Sequence, residues 1–279
     1  MKRAAGFLAL GFATGFIILT ILKMRPSAVD PVPSPAWSPD RKAEVLQFWK
    51  LYDQATRFRL QGDWPGADAA YHAALGLDTG HEDSLYNLGN VLFELGRFAE
   101  AAETWRRLAE INPSSARAHA QLGALFSCGV AGAPFEPAEA EREFEKALDI
   151  NKEESGAVLR IGEIALLRGN ISRARRYLEA AAASNSKCGG AFYLAGYLFW
   201  LEGDAVAAAI RLKRAIQAGR ESAPPAEGAG RLSLLTPYWS GISSWEETGV
   251  TKIKVDDEYR RLDWFLHSIR ERQPVRVAP

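Results

Sequence analysis

Between residues 48 and 222 the chain repeats one pattern of apolar positions. Leu85, Leu88 and Leu92 fall at i, i+3 and i+7, the spacing of a single apolar helix face, and Ala101, Trp105 and Leu108 mark a second helix a short turn later. The second-helix alanine recurs as Ala67, Ala101, Ala140, Ala174 and Ala208, at separations of 34, 39, 34 and 34 residues. Twelve residues before four of them stands Ala55, Gly89, Gly162 or Gly196. Ala140 has Gly123 seventeen residues before it, which places a five-residue insertion within 127–137. Four residues after each alanine comes a bulky group (Tyr71, Trp105, Phe144, Leu178, Leu212), and seven after it comes Ala74, Leu108, Ala147, Ala181 or Ala215. A small residue on each helix lets two antiparallel helices approach closely, and the bulky residue is then expected to pack into the neighbouring unit. Gly62, Gly96, Gly169 and Gly203 fall where the first helix must stop and turn. One hairpin cannot bury its apolar faces alone, so five stacked hairpins are needed to make a continuous core.

The run Leu85-Tyr86-Asn87-Leu88-Gly89, followed by Gly96-Arg97-Phe98, Ala101, Trp105 and Asn112-Pro113, resembles a tetratricopeptide repeat (TPR). Five units in phase occupy 48–81, 82–115, 116–154, 155–188 and 189–222. The resemblance implies an all-α, right-handed superhelical solenoid in which the first helix of each unit lines a concave groove. The second unit alone closes with proline, Pro113; Thr79, Lys152 and Ser186 stand at equivalent places. Gly129, Gly132, Pro134 and Pro137 lengthen the turn of the third unit into what reads as a projecting loop. The extension 223–279 opens with a proline- and glycine-rich break and continues with Trp239, Trp245 and an alternating stretch, 251–255. It ends in a helix over 256–272, with Asp256 and Asp257 near its start and Tyr259, Leu262, Trp264, Phe265 and Ile269 as its apolar side chains. This extension reads as a cap on the last unit, with an added binding element as the alternative.

On the groove that the resemblance implies, Tyr86, Asn90 and Phe93 form a stripe distinct from the leucine stripe. Tyr193, Tyr197 and Trp200 recur at the same places in the fifth unit, and Tyr52 lies one repeat before Tyr86 with Trp49 a turn earlier. Between these ends the equivalent residues are small in the third unit (Ala120, Ala124, Ser127) and mixed in the fourth (Leu159, Glu163, Leu166). The expected surface has aromatic walls and a deeper middle, suited to an apolar-anchored segment of a protein or peptide partner. The alternative is that these rings pack between first helices or lie under the chain's own tail. A TPR subclass grips a C-terminal carboxylate with Lys, Arg and Asn side chains; only Asn90 fits that pattern.

The first 25 residues stand apart. Lys2 and Arg3 precede an uncharged run, 4–22, that Lys23 and Arg25 close. Nineteen helical residues span ~28 Å, about the thickness of the hydrocarbon core of a bilayer. A signal anchor fits this length better than a cleaved signal, whose apolar core is usually ~7–15 residues. The short basic tail favours a cytoplasmic N-terminus, with the array periplasmic or otherwise extracytoplasmic. A linker, 26–44, follows, with Pro26, Pro31, Pro33, Pro35 and Pro39.

The 279 residues are 47% hydrophobic and 24% charged, with 34 basic and 34 acidic side chains. The charge balance supplies no positive field for a nucleic acid. Two cysteines, Cys128 and Cys188, and four scattered histidines exclude a disulfide scaffold or a multi-cysteine zinc module. No phosphate loop, nucleophile elbow, zinc-helix motif or acid–base pair is evident, so no cofactor and no enzyme activity are expected. The expected function is a membrane-tethered adaptor that assists export, envelope assembly or protein maturation. A self-associating scaffold, a homo-oligomer without a client, is the rival.

Overall fold

The computed structural model describes residues 38–152, 155–221, 233–246 and 249–272. The chain divides into two compact units, residues 1–44 and 45–279. The expected membrane segment 4–22 lies outside the described residues, as does the linker up to residue 37. Among the described residues no helix is long and apolar enough to cross a membrane.

The described residues are helical almost throughout. The repeat helices are α1 (Pro39–Gln61), α2 (Trp64–Leu77), α3 (Glu82–Glu94), α4 (Phe98–Ile111), α5 (Ala116–Ser127), α6 (Pro137–Ile150), α7 (Ser155–Leu167), α8 (Ile171–Ser184), α9 (Gly189–Leu201) and α10 (Ala205–Glu221). The tail adds a short α11 (Thr236–Ser240), a 3-10 turn (Gly241–Ser244) and α12 (Lys252–Arg272). Helix α1 begins at Pro39, inside the stretch expected to be linker. Proline costs nothing in a first turn, where its absent N–H would have no partner, and the Ser38 hydroxyl accepts from the Arg41 N–H at 3.2 Å.

The periodic small residues sit where close packing requires them. Ala55, Ala67, Ala101, Ala140, Ala174 and Ala208 are all fully buried. In the second, third and fourth units the bulky residue four positions on covers the glycine of its own hairpin. A methyl on Gly89 would overlap the Trp105 indole, one on Gly123 would lie 2.8 Å from the Phe144 ring, and one on Gly162 would lie 2.8 Å from Leu178 Cδ2. In these three units the side chain two helical turns into the second helix therefore fills the space that a missing Cβ leaves on the first. The buried residues form two clusters that meet within α7. One runs from Ala55 to Ile164 and the other from Ala165 through α12.

Each first helix except that of the third unit ends in the same turn. Gly96 has φ +73°, a left-handed conformation that only glycine adopts without strain. Its N–H donates to the Phe93 carbonyl at 2.9 Å, and the Arg97 N–H reaches back to the Leu92 carbonyl at 2.8 Å, which closes a Schellman turn. Gly62, Gly169 and Gly203 do likewise. The third-unit loop does not project. Val130 and Ala133 pack on the first core cluster, and the Glu136 N–H donates to the Phe126 carbonyl at 2.8 Å, tying the loop back to α5.

The alternating stretch 251–255 becomes the first turn of α12, not a strand. The Thr251 hydroxyl caps that turn by accepting from the Lys254 N–H at 3.3 Å. Val255, Tyr259, Leu262 and Leu266, at i, i+4, i+7 and i+11, form the buried stripe of α12, whereas Trp264 is 71% exposed.

Two alanine substitutions should separate helix propensity from close packing. Gly76→Ala, on an exposed helical turn with open space around it, should raise stability by about 0.5–1 kcal/mol. Gly89→Ala should lower it by about 1–3 kcal/mol despite the same propensity gain. Urea denaturation of the two variants beside the parent measures both signs.

Candidate binding face

The eight aromatic and amide residues expected to line one groove divide into an open half and a closed half. In the open half, Trp49 is 48% exposed and Tyr52, Tyr86 and Asn90 are partly buried. The Tyr52 ring stacks on Phe48 at 6.2 Å and meets Trp49 at 5.8 Å, Tyr71 at 6.0 Å and His81 at 5.3 Å edge-on. Its phenol is held above the usual tyrosine pKa by burial and by the nearby Asp83 carboxylate. Tyr86 lies under the Arg117 guanidinium, 4.9 Å from its ring centre, and its hydroxyl accepts from Gln121 Nε2 at 3.0 Å. Arg117 also pairs with Asp83 at 2.6 Å. The Asn90 side-chain oxygen and the Arg59 Nε are buried without a hydrogen-bond partner.

Phe93 does not line a groove. It is buried, with its ring edge-on to Phe98 at 5.3 Å beside the folded-back loop. It borders a cavity of about 500 Å³ lined by Phe98, Val130 and Ala131 among others. The reason is the insertion in the third unit, whose apolar residues need a surface and find it there.

The closed half is Tyr193, Tyr197 and Trp200. Expected at a partner surface, the two tyrosines are buried and all three are covered by the tail. The Tyr193 hydroxyl donates to Glu258 Oε1 at 2.6 Å, that of Tyr197 to Asp263 Oδ1 at 2.6 Å, and the Trp200 indole to Asp256 Oδ1 at 3.0 Å. Tyr259 fills the space that Gly196 leaves and donates to the Tyr193 carbonyl at 3.1 Å. Upstream, Trp239 packs on Gly190 and donates to Glu163 Oε1 at 3.2 Å, and Ser233 bridges to Cys128 at the end of α5. Downstream, Arg270 reaches the Leu166 carbonyl at 2.6 Å. The tail thus lies along the first-helix faces of the fourth and fifth units and covers the fourth-unit part of the expected deeper middle at Glu163 and Leu166.

Sequence reasoning missed Arg117, Gln121, Arg59, Glu258 and Asp263. A signal for the first was present: Asp83 and Arg117 lie one repeat apart with opposite charge. The other polar candidates are engaged elsewhere. His119 Nδ1 lies 2.6 Å from Glu143 Oε2. Burial alone would raise the Glu143 pKa, but hydrogen bonds from Lys146 and His119 bring it below the usual carboxylate value. Glu163 pairs with Arg160 at 2.9 Å as well as with Trp239. No disulfide joins Cys128 to Cys188. Among the described residues no group of three His, Cys, Asp or Glu side chains is placed to hold a metal ion.

Burial pushes the phenol pKa values of Tyr193, Tyr197 and Tyr259 upward, and the neighbouring carboxylates Glu258 and Asp263 add to it. A raised folded-state value means stability that is complete below the unfolded tyrosine pKa of about 10 and is lost as pH rises above it. In an alkaline absorbance titration, three of the eight tyrosines should ionise only as the tail detaches. Tyr193→Phe, which removes a donor from the buried Glu258, should lower stability by about 1–3 kcal/mol and increase hydrogen exchange first in α12.

The sequence matches two tetratricopeptide-repeat family models, over residues 58–125 and 159–224. No curated protein matches the chain. Among solved structures, MamA is 20% identical, with a TM-score of 0.54 over 63% of this chain and 93% of its own. PilW, described as a widely conserved type IV pilus biogenesis factor, is 20% identical, with a TM-score of 0.53 over 83% of this chain and 96% of its own. PilF of Pseudomonas aeruginosa is 16% identical, with a TM-score of 0.55 over 80% and 99%. These likenesses concern the fold, and together with the stacked helix pairs they show that the chain carries tetratricopeptide repeats in an all-helical, helix-turn-helix solenoid.

Proposed function

We propose that this protein is a membrane-tethered adaptor that holds a partner polypeptide on the open first-helix face of its first three units. The observation that carries this reading is that Trp49, Tyr52 and Tyr86 keep exposed ring surface on the first helices of the first two units, whereas the corresponding rings of the fifth unit lie under the tail. Large rigid rings supply contact area at low entropic cost, and such residues dominate partner binding where they cluster. The basic tail and apolar run at residues 2–22 support a single anchor with a cytoplasmic N-terminus, which puts the repeats in the periplasm or an equivalent compartment. A role in export, envelope assembly or protein maturation fits that setting, and the pilus biogenesis factor of like fold favours envelope assembly among the three.

Two measurements test the proposal. Pull-down of the full chain from detergent-solubilised membranes should capture a partner that is lost at least tenfold when Trp49→Ala and Tyr86→Ala are combined, with helicity by circular dichroism unchanged. Capture unaffected by the pair overturns the binding face. Protease added to spheroplasts should digest the repeats; full protection, or recovery of the whole chain in the soluble fraction, overturns the tether.

A further inference from the structure

The chain carries a worked example of what its first-helix face accepts. In the closed half, three donors project from one helix: the hydroxyls of Tyr193 and Tyr197 and the indole N–H of Trp200. Each is met by a carboxylate of α12, namely Glu258, Asp263 and Asp256. Between those carboxylates Tyr259 buries its ring within about 5.4–6.3 Å of the same three aromatic side chains. The occupant is an amphipathic helix with carboxylates flanking an aromatic residue on its buried side.

The open half also presents donors without an occupant, beside one unpaired acceptor, Asn90 Oδ1. Tyr52 and Tyr86 hold the repeat position of Tyr193. The Tyr86 hydroxyl accepts from Gln121, so its own proton remains to be donated. Arg59 Nε is a buried donor without an acceptor, and the Trp49 indole is half exposed. Asp83, whose charge acts on Tyr52, is already paired with Arg117. A buried donor left unpaired carries a desolvation penalty, and an anionic acceptor removes it best.

We propose that the open face binds a partner helix bearing side-chain carboxylates on either side of an aromatic residue, the carboxylates accepting from the donors Trp49, Arg59 and Tyr86. This rests on the adaptor reading and specifies the chemistry of its partner.

The probe is a fluorescently labelled peptide with the sequence of residues 252–272, titrated by anisotropy into the detergent-solubilised full chain. It should bind, and the peptide with Asp256→Asn, Glu258→Gln and Asp263→Asn should bind about tenfold more weakly or worse. A protein carrying Trp49→Phe, Arg59→Gln and Tyr86→Phe, conservative in volume, should lose a similar factor. Tyr193→Phe with Tyr197→Phe should leave the affinity unchanged or improve it. Three results overturn the proposal: no binding of the probe, equal binding of the charged and amide peptides, or affinity governed by Tyr193 and Tyr197, which would mean that the peptide merely replaces the tail. If native partners still depend on Trp49 and Tyr86 while the probe fails, the carboxylate chemistry falls and the adaptor stands. If neither depends on the open face, both fall.

Discussion

The structure depends on a steric constraint, the absence of a side chain at one point on each first helix. Gly89, Gly123 and Gly162 leave a depression, and Trp105, Phe144 and Leu178 of the same hairpins fill it. Because glycine is a poor helix former, each site concedes helix propensity, and the ring or leucine seated against bare backbone more than recovers it. The same depression sets the distance between paired helices, and hence which residues of the first helices face outward together. The fifth unit keeps the depression at Gly196 but fills it from elsewhere in the chain, with Tyr259. That substitution is the structural origin of the division between an open and a closed face.

Much of the architecture was legible because spacing is a direct imprint of this constraint. The alanines at intervals of 34 and 39 residues are all buried, and the turn glycines predicted from position alone have the left-handed backbone those turns need. The failures share a cause: periodicity reports local packing and is silent about where non-repeating chain returns. The loop after α5 read as projecting because its glycines and prolines break a helix, yet Val130, Ala133 and Phe135 are apolar and need burial. Trp264, counted among the apolar side chains of its helix, is exposed, whereas Leu266, not named there, is part of the buried stripe.

The covered state of Tyr193 and Tyr197 had a signal that position-by-position comparison with Tyr86 passed over. Helix α9, Gly189–Leu201, has no charged residue on any side. A first helix facing solvent on its inner side, as α3 does, keeps a polar flank of Glu82, Asp83, Asn87 and Asn90. A helix that is apolar all round is a buried helix. The tail therefore completes the core more than it decorates it, and its carboxylates satisfy the few polar atoms that the aromatic side chains bring inside. The candidate face was thus only half readable: the aromatic positions were visible, but not which of them the chain had already used.

Arrays of this kind can ordinarily lengthen or shorten by duplicating or deleting a unit, since each hairpin touches only its neighbours. Here the returning segment touches the third unit at Cys128, the fourth at Glu163 and Leu166, and the fifth at Gly190 and Gly196. A hairpin inserted or removed between α5 and α10 would carry those attachment points out of register with Ser233, Trp239, Tyr259 and Arg270. The tail acts as a ruler, so this end of the protein has a fixed length, and evolutionary freedom to add or lose hairpins is confined to the side where the accessible aromatic face lies.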